Sequence, residues 1–173
     1  MSMLNKSDIV NLAFLKVGEQ NQLFNMNITD RLAIASTLFE QCINEIATDS
    51  NFMFNAKTVL LNLNLLDKNY RGEYKYNLPI DYLNKIWISD REARIEGKFV
   101  YSTQEKVEMC YCYKMDLVDY PDYVTQYVVL KLAIKLTEAY DIYAHKKQWL
   151  EAELRDATNK LLVSEGLPFQ IPR

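Results

Sequence analysis

The stretch KTVLLNLNL, residues 57–65, changes the period of the hydrophobic pattern from that of a helix to that of a strand. Apolar side chains recur at every second position from Val59 to Leu65, and Asn62 and Asn64 lie between them. Successive side chains of a strand point to opposite faces, so this alternation predicts a half-buried strand. The segments on both sides of it determine the fold class.

Two helices are predicted before this strand. The first begins at a capping residue, Asn5 or Ser7, and ends just before Gly18, a residue that favours helix termination. The second spans 31–50, where apolar residues follow the 3.6-residue period. Cys42 lies within its apolar stripe, which favours a buried structural thiol.

Further strands are predicted after the turn DKNYRG at 67–72. Alternating apolar residues mark each of them, and a turn is expected at Glu96-Gly97. The connections are too short for helical crossovers, so the strands should form one small, largely antiparallel sheet of hairpins. The predicted strand segments are 73–79, 85–89, 98–102 and 106–115.

The helical period returns after Pro121, which suits the first position of a helix. Apolar residues on most sides of this helix, up to Ala139 and Tyr140, predict that it is largely covered. A last helix over 146–165 has one thin apolar seam in a polar surround. The seam consists of Leu150, Leu154, Ala157 and Leu161.

The predicted elements follow the order two helices, a sheet and two helices. This order predicts an α+β fold, with a four-helix bundle-like core and an inserted small antiparallel β-sheet lobe. We assign 1–56 to an N-terminal helical pair and 57–116 to the β lobe. Residues 117–166 form a C-terminal helical pair that completes the bundle, and 167–173 form a tail. These parts are expected to make one structural domain overall.

Composition indicates a soluble intracellular protein that does not bind nucleic acid by general electrostatic attraction. The 173 residues carry a net charge of −3 and include three cysteines. The N-terminus has no signal-peptide pattern, and Lys131 and Lys135 interrupt the most apolar stretch. No P-loop, GxGxxG or GxSxG motif occurs, and we expect neither enzymatic activity nor a cofactor.

Cys110 and Cys112 lie one residue apart in a predicted strand and therefore share a face. Their parallel side chains would need distortion to form a disulfide, and a zinc site needs about four ligands. His145, the only histidine, has no neighbouring nucleophile or orienting carboxylate in any recognisable motif. A structural role is favoured for these three residues over an enzyme that uses His145 or Cys110.

Tyrosine is concentrated in the middle of the chain, where all 12 tyrosines lie between Tyr70 and Tyr143. Tyrosine is enriched at interfaces, although core packing also explains many of these residues. The expected contacts with another subunit or with the tail are Tyr74, Tyr76, Trp87, Tyr101, Tyr111 and Tyr113.

A basic cluster and the C-terminal tail are the remaining candidate sites. The cluster consists of Lys131, Lys135, Lys146 and Lys147, and either contacts phosphate or is a solvated face balanced by carboxylates. The tail has spaced apolar anchors, as docking peptides do. Its residues are Leu167, Pro168, Phe169, Gln170, Ile171, Pro172 and Arg173.

Several phrases in this order resemble one protein family. They are SDIVNLAFLKVGE, NFMF, YNLPIDYLNKIWI, IEGKFVYS, VEMCYCYKMD and LVDYPDYVTQYVVLKLAIKLTEAYD, followed by a charged terminal helix. Over roughly residues 5–165 the chain resembles the tail tubular protein A family, the head-to-tail adaptor proteins of short-tailed bacteriophages.

The resemblance implies a structural virion protein of the tail or neck, assembled in the host cytoplasm. It implies a ring of about twelve copies that closes through head-to-tail contacts between subunits. The partners would be the portal protein, to which the tail 167–173 would dock, and the tail nozzle or further ring proteins. Double-stranded DNA would pass through the ring during ejection without sequence-specific binding, and the lysine cluster would face this channel. No membrane is involved.

A second hypothesis is a small cytoplasmic protein-binding module that recognises one partner through its tyrosine-rich sheet. It differs from the ring hypothesis in predicting a low and fixed stoichiometry.

Overall fold

The computed structural model describes residues 5–18, 27–49, 52–65, 68–140 and 144–165. The described chain has four helices and two small antiparallel sheets, so the predicted α+β class is confirmed. It divides into two compact units, a helical unit of Met1–Ile46 with Met115–Arg173 and a sheet unit of Ala47–Lys114. The sequence analysis placed the β lobe at 57–116, so its predicted start lies ten residues after the first residue of the sheet unit.

The helical unit contains four helices, which are α1 (Lys6–Val17), α2 (Ile28–Thr48), α3 (Asp122–Ala139) and α4 (Ala144–Ser164). The last two residues of α2, Ala47 and Thr48, belong to the sheet unit. Helix α3 packs directly against α1 and α4.

Helix α1 has the predicted ends. The Asn5 side chain accepts a hydrogen bond from the Asp8 backbone N–H, and the Asp8 carboxylate accepts one from the Asn5 N–H. This capping box satisfies two backbone donors that a helix start leaves unpaired. Gly18 follows the helix with φ of 88°, a conformation that glycine adopts without strain.

Two other helix starts differ from the prediction. Helix α2 begins at Ile28, three residues earlier than expected, because the Asn27 side chain accepts a hydrogen bond from the Thr29 N–H. Pro121 immediately precedes α3 instead of occupying its first position, and its carbonyl accepts from Val124 and Thr125. At the other end of α3, Ala139 is exposed, contrary to the prediction.

Most sides of α3 are covered, as its sequence predicts. Leu132 and Leu136 are both fully buried. On α4 the predicted seam is buried at Leu150 and Leu161 but only half-buried at Leu154 and Ala157.

The sheet unit contains seven short strands in two sheets, which corrects the prediction of a single sheet. One sheet has the order β1-β7-β4 and the other β2-β3-β6-β5, with every described pairing antiparallel. The strands are β1 (Ala56–Leu60), β2 (Asn62–Leu65), β3 (Tyr74–Asn77), β4 (Tyr82–Ile88), β5 (Arg94–Glu96), β6 (Phe99–Ser102) and β7 (Glu108–Tyr113).

The stretch 57–65 is therefore not one strand. It changes sheets at Leu61, whose backbone N–H donates to the Val107 carbonyl at 2.8 Å. Leu61 and Val107 lie in the core, together with residues from strands of both sheets. An apolar residue is therefore required at position 61, and the alternation of apolar residues continues across the break. This core cluster of the sheet unit consists of Leu61, Tyr76, Val100, Val107, Met109 and Tyr111.

Two asparagines of the sheet unit bind the last carbonyls of α2. The Asn55 Nδ2 donates to the Ala47 carbonyl at 2.8 Å and to the Tyr113 carbonyl at 3.0 Å. The Asn84 Nδ2 donates to the Thr48 carbonyl at 2.7 Å. A helix end leaves its last carbonyls without helical partners, so these side chains replace the missing donors. Asn55 is fully buried, whereas the bond of Asn84 is exposed to solvent.

Candidate interaction surfaces

Two of the six predicted interface residues are core residues. Tyr76 and Tyr111 are each 1% exposed and belong to the core cluster of the sheet unit. The Tyr76 hydroxyl donates to the Gln104 carbonyl at 2.5 Å, and the Tyr111 hydroxyl donates to Asp81 Oδ1 at 2.9 Å. Their rings have no surface left for a partner, so the interface prediction is wrong for these two.

Trp87 is the most exposed of the remaining four, at 42%, and lies on β4 at an edge of the three-stranded sheet. Tyr74, Tyr101 and Tyr113 are half-buried. A cation lies over each of these three rings, which lowers the cost of leaving an aromatic face at the surface. The cation-to-centroid distances are 4.7 Å for Lys68 over Tyr74, 4.5 Å for Arg94 over Tyr101 and 4.6 Å for Lys57 over Tyr113.

Lys57 connects the aromatic residues to a carboxylate. Its Nζ lies 2.5 Å from Asp81 Oδ2, and this bond is the main reason why the pKa of Lys57 is raised. Partial burial acts to raise the pKa of Asp81, but hydrogen bonds from Lys57 and Tyr111 outweigh it and lower that pKa. Both groups therefore stay charged at neutral pH, and the cation is occupied by its own chain.

A forked ion pair holds the turn before β3 to strand β5. Arg94 Nε lies 3.1 Å from Glu73 Oε1, and Arg94 Nη2 lies 2.7 Å from Glu73 Oε2. The Asn69 side-chain amide adds a bond of 2.9 Å to the same carboxylate. The bonds from Arg94 and then Asn69 lower the pKa of Glu73 to about 2.

We expect acid to remove the contribution of Glu73 to stability between about pH 4.5 and pH 2. The folded-state pKa lies below the ordinary value of 4.5, so the contribution is complete above pH 4.5 and is lost as the pH falls towards 2. Glu73→Gln should flatten the decline in the urea midpoint over this range. The exposed Glu92→Gln is the matched control, and equal pH profiles for Glu73→Gln and the parent would contradict the expectation.

The four lysines of the predicted phosphate-facing cluster are engaged with side chains of the helical unit. Lys131 and Lys135 lie 2.9 and 2.8 Å from the two carboxylate oxygens of Glu45. The hydrogen bond from Lys135 is the main cause of the lowered pKa of Glu45. Lys147 lies 2.7 Å from Glu138, and Lys146 Nζ lies 4.5 Å from the centroid of the Trp149 ring. These contacts favour a surface balanced by its own carboxylates.

The cysteines and the histidine do not form a reactive site. All three cysteines are free and buried, and burial raises the pKa of Cys42 to about 11 and also raises that of Cys112. His145 is exposed at the start of α4. Within the described ranges, no group of three or more His, Cys, Asp or Glu side chains could bind a metal ion.

We expect none of the three thiols to react with Ellman's reagent at pH 8 in the native protein, because reaction requires an accessible thiolate. Unfolding in urea should release all three. Ile80, which is fully exposed, gives the matched control, since Ile80→Cys should add one thiol that reacts at once. Fast reaction of a native thiol in the parent chain would contradict the structural assignment.

The helical unit has a groove that the sequence did not predict. It encloses about 760 Å³ between α1, α3 and α4, and Val129 and Leu130 form a floor that is only 7% exposed. Leu12 follows the apolar period of Ile9, Ala13 and Val17 in the α1 sequence, but Leu12 and Leu15 are 38% and 68% exposed. The other lining residues are Lys16, Asp122, Thr125, Gln126, Glu153, Asp156, Ala157 and Lys160.

The predicted docking tail, 167–173, lies outside the described residues, so its contacts stay a prediction. None of the four described helices has a stretch long and apolar enough to cross a membrane.

Comparisons with known protein families and with curated proteins identified no relative of this chain. No protein-family model matches the chain, and a search of the curated proteins finds no significant match.

Proposed function

We propose that this chain is a structural virion protein of a short-tailed phage, a ring subunit that connects the portal to the tail and surrounds the DNA passage. The ring would contain about twelve copies, as the resemblance to the adaptor family implies. A head-to-tail contact that closes makes such a ring without a symmetric patch. The observation that carries the proposal is the order of elements, two helices, a set of short antiparallel strands and two helices, together with the quoted phrases that resemble the adaptor family.

Exposed apolar residues in both units support an assembly of many copies. In the helical unit, Ile28 and Leu32 lie one turn apart on α2 and are each at least half exposed. In the sheet unit, Leu60 is 57% exposed, and Trp87 lies on an edge strand. Large exposed apolar side chains that cluster are typical of contact surfaces, and a ring subunit needs one such surface on each side.

The charge pattern supports a conduit that lets DNA pass. A ring multiplies every basic side chain, and many phosphate contacts would hold DNA strongly. Here Lys131 and Lys135 are paired with Glu45, and Lys147 with Glu138. The chain is also slightly acidic overall, with a net charge of −3. Such a wall would guide DNA without retaining it.

The test is assembly with the portal protein of the same phage. Negative-stain microscopy of the mixture should show an added ring on the portal, and light scattering should give a mass of many subunits per portal. A mixture in which the chain stays monomeric would overturn the proposal. A small cytoplasmic binding module, which the exposed Trp87 favours, would instead form a complex of low and fixed stoichiometry with its partner.

The docking role of the tail has its own expected result. Deleting Leu167–Arg173 should leave the chain folded, with an unchanged far-UV circular dichroism spectrum, because these residues follow the end of α4. The same deletion should weaken attachment to the portal at least about tenfold, since it removes three apolar anchors. Co-sedimentation with portal measures attachment, and an unchanged affinity would exclude this role.

A further inference from the structure

We propose that the groove between α1, α3 and α4 is the binding site for residues 166–173 of the same chain, which fold back from the end of α4. Three observations support it, which are the position and lining of the groove, the place where the chain leaves α4, and the sequence of residues 166–173. It does not depend on the proposed function, in which the same segment would leave the groove to reach the portal.

The groove begins where α4 ends. A second hollow of about 430 Å³ shares Asp156 and Lys160 with the groove and extends to Val163 and Ser164, the last two residues of α4. Asp122 at the start of α3 also lines the groove. A chain that reverses direction after Glu165 therefore enters a continuous depression.

The length of the segment fits the length of the groove. On α4 the lining residues run back from Lys160 to Glu153. Twelve helical steps, from Glu165 to Glu153, span roughly 18 Å at 1.5 Å per residue. Eight extended residues, from Gly166 to Arg173, reach roughly 26 Å, which leaves two residues for the reversal. Gly166 and Pro168 suit such a reversal.

The side chains also match. Phe169 and Ile171 follow the reversal and lie two residues apart, so an extended segment would place both on one side. The groove offers the buried floor of Val129 and Leu130 and the exposed walls of Leu12 and Leu15. Burial of these apolar surfaces against each other would remove both from water.

The charges are complementary. The segment 166–173 contains one arginine and no acidic residue. Three carboxylates and two lysines line the groove, and Lys16 Nζ lies 2.8 Å from Glu153 Oε2. The lining therefore has one more carboxylate than it has lysines, which leaves an acceptor for the Arg173 guanidinium.

Photocrosslinking in the full chain tests the proposal. Phe169 is replaced by p-benzoylphenylalanine, an aromatic residue that crosslinks on irradiation to the side chains it touches. We expect crosslinked product of monomer mass, with mass spectrometry placing the attachment in the peptides that contain Leu12, Leu15, Val129 or Leu130. The same photoreactive residue in place of Tyr70, which is 90% exposed in the sheet unit, should not label these peptides.

A second variant tests the groove itself. Leu15→Lys places a charge in the groove wall at a side chain that is 68% exposed, so the fold should tolerate it. It should lower the crosslinking yield by about fivefold or more. Ile28→Lys, at a residue 64% exposed on α2 and outside the groove, should leave the yield unchanged.

Several outcomes would overturn the proposal. Attachment outside the groove, groove attachment only in a species of dimer mass or the absence of any crosslinked product would each do so. An unchanged yield in Leu15→Lys would also contradict it. None of these measurements involves a portal or a ring, so failure here is distinguishable from failure of the proposed function.

Discussion

Replacing Asn55 by aspartate is expected to lower the free energy of unfolding by about 3–5 kcal/mol, the range for removing hydrogen bonds and burying a charge. The Asn55 amide donates to two backbone carbonyls at a fully buried position. A carboxylate cannot donate, so both carbonyls would lose their bond and face a second acceptor. The Asn55 Oδ1 has no hydrogen-bond partner among the described residues, so none of them already donates to the position that the new oxygen would take.

Urea unfolding measures this effect, and the two tryptophans allow each unit to be observed separately. Trp87 lies in the sheet unit and Trp149 in the helical unit, so Trp149→Phe and Trp87→Phe leave one reporter each. The matched control is Asn84→Asp, which removes a similar bond at an exposed position and should cost less than about 1 kcal/mol. Equal effects of the two substitutions would contradict the role assigned to burial.

The second large effect is expected in the helical unit. Leu132→Ala should lower the free energy of unfolding by about 2–5 kcal/mol, since it removes a fully buried side chain and leaves a cavity. Leu132 lies on α3, which packs against both α1 and α4, so few neighbours can move to fill the space.

Fluorescence of Trp149 in the Trp87→Phe background reports this loss, because Trp149 belongs to the helical unit. The control is Ile28→Ala at an exposed position of α2 outside the groove, which should change stability by no more than about 0.5 kcal/mol. A change below about 1 kcal/mol for Leu132→Ala would mean that α3 is not the packed centre of this unit.

Local signals in the sequence predicted α1 well, but the organisation of the strands depends on distant partners. Asn5 and Gly18 mark the ends of α1 through bonds within a few residues. The break at Leu61 depends on a bond to Val107, and the alternating pattern of 57–65 contains no trace of it. Periodicity located β3, β4, β6 and β7, but it missed β5 and merged β1 with β2. The division of the strands between two sheets is a property of tertiary pairing.

The candidate surfaces were harder to predict for a related reason. Tyrosine and tryptophan are common both in cores and at interfaces. Composition therefore could not predict that Tyr76 is buried whereas Trp87 is exposed. Lys131 and Lys135 appeared as a basic cluster because their partner, Glu45, lies far away in the sequence. The groove was missed because Leu12 fits the apolar period of α1, and only the packing of α3 and α4 leaves it exposed.

The two bonds of Asn55 have a consequence for how the chain could be re-engineered. Because one nitrogen binds both carbonyls, the oxygens of Ala47 and Tyr113 lie less than about 6 Å apart. These residues stand at the entrance and exit of the sheet unit, so 47–114 has the geometry of a cassette with adjoining ends. Such segments tolerate exchange, because a short bridge can span the gap. A foreign domain grafted between these ends would thus be displayed once per chain.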